Sequence, residues 1–324
     1  MAVAAWALVL GASIPPQAGA RDCDGVDTCI AQLRFGETVS LREQAARLLG
    51  ERGDPSAVLF LVEALGRDEG DFVRANAAEA LGWLQSGEAV EPLGEALKND
   101  RRDGVRREAA LSLGRLRLAA GVAPLGEALE SDRNYAVRLA AASALGTVGD
   151  ASGAAALGRA LAADGRSEVR SQAAVSLGVL KNTEGVAALT TALAEDSFPG
   201  VRRAAARALS VFEGEAVTRA LGEALARDPH RAVRREVART LGVRGDRDAS
   251  RPLVRALQAD LALEVRGEAA VALGKMGGDR AHDALAYFAE NAELATLRRT
   301  SRDALDTIAP DPPPPGEDED DGGE

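Results

Sequence analysis

Large side chains are scarce in this sequence: Phe, Tyr and Trp together make up 3% of its residues. That leaves little material for a large apolar ligand pocket and favours closely packed helices built on small residues. Two cysteines and two histidines are too few for most metal or thiol chemistry. Strand-like alternation of polar and apolar residues is found nowhere along the chain. There is no basic stripe either. The net charge is −11, yet seven acids fall between Asp311 and Glu324, so the rest of the chain carries only −4. A nearly balanced body excludes nucleic acid as a partner, because a phosphate backbone calls for clustered Lys and Arg.

What the sequence does have is Ala, Leu and a fixed period. The stretch from Leu125 to Gly146 contains a frame of Leu125, Ala128, Leu129, Asp132, Val137, Arg138, Ala141, Ala142, Leu145 and Gly146. The same frame returns 32 residues later as Leu157, Ala160, Leu161, Asp164, Val169, Arg170, Ala173, Ala174, Leu177 and Gly178. Its arginine recurs at Arg42, Arg74, Arg106, Arg138, Arg170, Arg202, Arg234, Arg266 and Arg298 without an insertion. A period of this size marks a solenoid, and it overrides the two-domain division that 324 residues would otherwise suggest.

From about Asp22 to Ala309 the chain divides into nine units of 32 residues. Leu-x-x-Ala-Leu puts apolar residues at i, i+3 and i+4, one stripe of a first helix. The Val, Ala-Ala and Leu positions do the same for a second helix beginning near Val-Arg, with the aspartate in the turn between them. Asp54-Pro55, Asp150, Asn182 and Asp246 offer N-caps, while Pro92, Pro124 and Pro252 suit an early turn. In the last unit Ala292 replaces the aspartate and Ser301-Arg302 replaces the Ala-Ala pair, which predicts a polar outer face closing the stack.

The Asp-x5-Arg spacing, the Ala-Ala pair and the Leu-Gly ending resemble the HEAT repeat. The likeness is to its short variety, also found in phycobilin-lyase-like proteins and in designed helical-repeat scaffolds. This implies an all-α, right-handed α-solenoid of about nine 32-residue helix-turn-helix repeats. HEAT stacks typically hold protein partners, so the resemblance also implies a scaffold; such a likeness is far more specific for fold than for function.

The polar frame reads as structural. Asp68, Asp100, Asp132, Asp164, Asp196, Asp228 and Asp260 each stand six residues before an arginine (Arg74, Arg106, Arg138, Arg170, Arg202, Arg234 and Arg266). Such an aspartate can accept from the first free amides of the following helix. The arginine can bridge to that carboxylate or to its counterpart one unit on, building a ladder as in HEAT-like proteins. A row of identical acid–base sites would have no mechanistic use. The recurrent glycine (Gly50, Gly82, Gly114, Gly146, Gly178, Gly242 and Gly274, with Ser210 once) reads as close packing or helix termination and not as a phosphate loop.

His230 and His282 are followed by Arg231 and Asp283, whereas metal-bearing HEAT enzymes that hydroxylate a modified lysine use His-Glu pairs. No metal, cofactor or catalytic triad is therefore expected. Met1 to Ala20 is a short apolar run ending in Ala18-Gly19-Ala20, which reads as a secretory signal peptide, residues 1–20, although no Lys or Arg precedes the run. Export places Cys23 and Cys29 in an oxidising compartment, periplasmic or extracellular, and predicts a disulfide between them. Cys29 occupies the slot of Leu61 and should face the core. The Pro-, Gly- and acid-rich tail, residues 310–324, has nothing to bury and reads as disordered.

The variable outward slots of the second helices remain. They hold Trp83, Leu111, Arg115, Val175, Val179, Arg207, Val211, Arg239, Val243 and Val271. In HEAT stacks the second helices line the concave side. These residues would then form a broken apolar stripe edged by arginines, a surface for a protein partner; the bland alternative is that the valines pad inter-helix packing. The expectation is an exported, non-enzymatic scaffold, with a lyase-like or chromophore-handling protein as the alternative.

Overall fold

The computed structural model describes residues 23–308. The signal peptide and the acidic tail expected from the sequence lie outside the described residues. Within them, eighteen α-helices run from α1 (Val26–Phe35) to α18 (Ala295–Leu305), with short 3-10 turns and no strand. They alternate as first and second helices of nine successive repeats, and each repeat packs on the next: an α-solenoid.

The fourth repeat shows why the sequence folds this way. In α7 (Val122–Ser131) the buried positions are Leu125, Ala128 and Leu129. Asp132 ends that helix in extended conformation, and Asn134 caps α8 (Tyr135–Val148), its side chain accepting from the Ala136 amide at 2.9 Å. Val137, Ala141, Ala142 and Leu145 then point inward, and Gly149 closes the helix at φ 77°. Each fully buried leucine contributes about 1.5–3 kcal/mol. Summed over the repeats, this gives one continuous apolar core from Cys23 to Ala304. Asp54, Asp150 and Asp246 cap the 3-10 turns that lead into first helices, each accepting from the amide two residues on. Asn182 does the same for the Glu184 amide.

The recurrent glycine proves to be a packing residue. A Cβ on Gly114 would stand 2.9 Å from Cα of Ala144, and one on Gly82 2.8 Å from Cβ of Ser112, both on the next second helix. Consecutive second helices thus meet backbone to backbone. Termination falls three residues later, at left-handed positions such as Gly53, Gln85, Arg117, Gly149, Lys181 and Gly245. First helices stand further apart. The closest approach of a built Gly94 Cβ to Pro124 is 3.5 Å, and a groove of about 970 Å³ opens between α5 (Val90–Asn99) and α7.

One repeat breaks the pattern. Where the glycine is replaced by Ser210, helix α12 (Pro199–Ala208) stops after ten residues and a 3-10 turn, Leu209–Val211, follows. A Cβ in this slot would collide with the neighbouring second helix, so the chain unwinds. Arg244 fills the gap, standing in a slot that holds Leu84, Leu116, Val148, Leu180, Phe212 and Met276 in other repeats and Arg52 in the first. Its guanidinium donates to the Leu209 carbonyl at 3.3 Å and to Thr218 Oγ1 at 3.2 Å, while its buried Nε finds no partner among the described residues. Burial lowers the Arg244 pKa, against the pull of Asp246 and Glu213.

The N-terminal end matches expectation and the C-terminal end differs in detail. Cys23 and Cys29 lie at disulfide-bonding distance, their Cα atoms 5.0 Å apart, and Cys29 is fully buried. At the other end Arg302 is exposed, but Ser301 is completely buried, with its hydroxyl unpartnered among the described residues. Ser301 keeps the buried position that alanine holds in most of the other repeats, so of the two only Arg302 belongs to a polar outer face.

Candidate protein-binding surface

Seven arginine–aspartate rungs run along the turns. Arg42, Arg74, Arg106, Arg138, Arg170, Arg202 and Arg234 each bind the aspartate 26 residues ahead, with Nε–Oδ2 distances of 2.6–2.7 Å and Nη2–Oδ1 distances of 2.9–3.1 Å. Nη1 of each then donates to the backbone carbonyl six residues behind, which from Arg74 onward is that of its own aspartate. Of the two carboxylates offered by the sequence spacing each arginine takes the one in the next repeat, and from Arg74 onward it takes only the backbone carbonyl of the aspartate in its own. The amide that each carboxylate accepts is that of the residue two positions on, at 2.8 Å, and not a first-turn amide of the second helix.

The ladder differs from expectation at both ends. Arg266 forms no rung, since Ala292 stands where its carboxylate would be; it donates to the Leu257 carbonyl at 2.9 Å and lies over Phe288. Conversely, Arg42 extends the ladder by one rung at the N-terminal end. Burial alone would raise the carboxyls of Asp100, Asp164, Asp196 and Asp260. The arginine hydrogen bonds and the amide outweigh it, and each titrates below the ordinary aspartate value.

On the outward slots of the second helices the residues separate into two groups. Trp83, Val175, Val179, Val211, Val243 and Val271 are exposed, Trp83 and Val179 to 58% and Val243 to 62%. Leu111 is partly buried against the core and adds little to the stripe. Val211 sits on the 3-10 turn after α12 and not on a second helix, a consequence of Ser210. The arginines are engaged. Arg207 binds both oxygens of Glu236 at 3.0 and 3.1 Å, and Arg239 binds Glu268 at 3.0 and 3.2 Å, each joining one repeat to the next. Glu236 is 5% exposed, and although burial raises its carboxyl, the hydrogen bonds from Arg207 and the charges of Arg207, Arg239 and Arg203 hold it below the ordinary glutamate value. Arg115 pairs with Glu108 at 2.9 Å and stacks over the Trp83 ring at 4.9 Å. This face presents apolar side chains in a setting of neutralised charge.

The sequence pattern described as HEAT repeats matches residues 26–114, 90–178, 122–210, 156–229 and 218–306. The chain belongs to the HEAT-repeat family. Among solved structures this HEAT chain is similar to Kap95p in its complex with RanGDP, at 14% identity and a TM-score of 0.61, covering 86% of this chain and 44% of that one. It is also similar to the Escherichia coli protein YibA (18% identity, TM-score 0.51, covering 84% and 99%). A third likeness is to the CpcE–CpcF complex of phycocyanin lyase from Nostoc sp. PCC7120, at 22% identity and a TM-score of 0.39, covering 92% and 98%. At these identities the likeness is one of fold. No curated protein matches the sequence.

Neither histidine of this HEAT protein takes part in a cluster. His230 is the N-cap of α14 (Arg231–Arg244), its Nδ1 accepting from the Ala232 amide at 3.2 Å, and exposed His282 lies 3.7 Å from Asp283. Among the described residues no group of three or more His, Cys, Asp or Glu side chains is placed to hold a metal ion. No helix there is long and apolar enough to cross a membrane.

Proposed function

We propose that this protein is an exported, non-enzymatic scaffold that holds a protein partner against the row of second helices. The observation that carries the reading is the run of exposed Val175, Val179, Val211, Val243 and Val271 on successive repeats, with Trp83 further toward the N-terminus. A tryptophan is the kind of anchor on which binding surfaces rely, and exposed apolar side chains recurring along one face mark an interaction surface. Close backbone approach between second helices, against open grooves between first helices, favours curvature toward the second-helix side and hence a concave binding face. Export is supported by the apolar stretch ending in Ala18-Gly19-Ala20 and by the Cys23–Cys29 pair.

The test compares affinity capture from the envelope fraction by the parent chain and by Trp83→Ala/Val179→Ser/Val243→Ser. All three side chains are exposed, so the helical signal and melting temperature should hold while the captured partner is lost. Leu59→Ser, at a 70% exposed site on a first helix, should leave capture unchanged. Equal capture by the parent and the triple variant would overturn the reading. Arg207 is a poor probe, because its removal takes both of its hydrogen bonds from the buried Glu236, leaves Arg203 at 3.8 Å as its ion-pair partner, and so destabilises the fold.

A further inference from the structure

The opposite side of the stack carries a feature that partner binding by second helices does not use. Between α13 (Glu215–Arg227) and α15 (Ser250–Ala259), extending to α17 (Asp279–Asn291), lies a groove of about 730 Å³ lined by Arg219, Arg227, Arg251, Arg255 and Arg280. Its acids are Glu215, Glu223 and Asp248, and all five arginines are exposed. Arg219 has Glu215 at 3.4 Å and Arg280 donates to Ser250 at 3.2 Å, whereas Arg227, Arg251 and Arg255 form no ion pair among the described residues. The contrast lies within the same molecule. In the α5–α7 groove the slots of Arg219 and Arg255 hold Glu91, Glu95 and Glu127. Arg101 and Arg133 of that groove also form no ion pair among the described residues, but its carboxylates outnumber its bases, so of the two grooves only the C-terminal one has arginine in excess of carboxylate.

We propose that this groove is filled by the acidic run Glu317–Asp321 of the same chain. Three observations carry the assignment. The first is charge: five consecutive carboxylates, Glu317 to Asp321, meet five arginines of which three are unpaired. The second is the point of departure. The Ile308 side chain stands 3.9 Å from where a Cβ on Gly277 would be, so the last described residue lies beside a position three residues before Arg280, at the groove's near end. The third is reach. Ala309 to Glu317 is nine residues, five of them proline, and spans about 28 Å at ~3.1 Å per residue. From α17 to α13 is two helix-to-helix steps of about 10 Å each. The row Arg280, Arg251, Arg219 also follows the N-terminal ends of three helices, where helix dipoles favour anions. Single exposed ion pairs are weak, but the tether supplies the run at an effective concentration in the millimolar range.

The experiment uses a fluorescent peptide of residues 309–324, the full chain, and the chain ended after Ile308. The shortened chain should bind the peptide about tenfold or more tightly than the full chain, whose own tail competes. Raising salt should weaken that binding. Arg251→Glu/Arg255→Glu in the shortened chain should abolish it with an unchanged circular dichroism spectrum, while Glu91→Gln/Glu95→Gln should not. Equal binding by the full and shortened chains, or undiminished binding by the arginine variant, overturns the proposal. So does a full chain that sediments as a dimer and reverts to a monomer when the tail is removed, because the occupant would then be the tail of a second copy.

Discussion

Removing one carboxylate from the middle of the ladder is the sharpest test of what holds the repeats in register. Asp164 is 5% exposed at its side chain and accepts three hydrogen bonds: two from Arg138, at 2.7 and 3.0 Å, and one from the Arg166 amide at 2.8 Å. Asp164→Ala removes all three and leaves the Arg138 guanidinium, 17% exposed, with only the Asp132 carbonyl. The Arg170 contact to the backbone carbonyl of residue 164 survives, so the damage stays at one junction. A half-broken ion pair at this depth costs about 2–4 kcal/mol, between the values for exposed and fully buried pairs. Arg266→Ala is the internal control, since Arg266 has no carboxylate and loses one carbonyl bond and a ring contact, about 1 kcal/mol. Urea unfolding followed by circular dichroism gives both numbers. A double-mutant cycle with Arg138→Ala should return a coupling of about 2 kcal/mol, because the second change removes the orphaned charge left by the first. A cost for Asp164→Ala no greater than that for Arg266→Ala, or a coupling near zero, would refute the view that the rungs stabilise the stack.

Two further outcomes are expected. Asp100, Asp164, Asp196, Asp260 and Glu236 have folded-state pKa values below their ordinary ones, so the unfolded chain binds more protons on acidification. Their contribution is complete above about pH 5 and is lost as pH falls through about 4 and below; a melting temperature unchanged between neutral and strongly acidic buffer would contradict this. Gly114→Ala should destabilise by about 1–3 kcal/mol through overpacking against Ala144. Gly267→Ala, inside α16 (Leu263–Met276) with nothing within 4 Å, should stabilise by about 0.4–1 kcal/mol. Equal effects at the two glycines would remove the packing argument.

The repeat was legible because its frame is covalently periodic, and helix positions, buried slots and the structural nature of the aspartates follow from spacing alone. The partner of each arginine did not, because a carboxylate six residues behind and one 26 residues ahead satisfy the same periodic pattern. Geometry divides the guanidinium between the two repeats. The pairs Arg207–Glu236 and Arg239–Glu268 escaped for a related reason: reading helix faces one repeat at a time hides contacts between neighbours 29 residues apart. The break at Ser210 had a visible signal in Arg244, a charge in a slot that is apolar in every other repeat but the first, where it is Arg52; a column-by-column comparison of the repeats brings this out. Leu111 illustrates the limit of helical-wheel geometry, since a slot pointing away from its own repeat still touches the core.

A stack of this kind is also a spring, and the Ser210 junction sets where it is soft. Elsewhere fourteen-residue second helices such as α8 and α14 lie backbone against backbone along their length, but α12 offers ten residues, then a turn. Under bending or tension, strain collects at the most compliant joint of a series. There the helix-on-helix contact gives way in part to side chains: Arg244 on the Leu209 carbonyl, beside the pairs Arg202–Asp228 and Arg207–Glu236. Six repeats on one side and three on the other would swing as two stiff arms, so the curvature of the stack can change without unfolding a single helix.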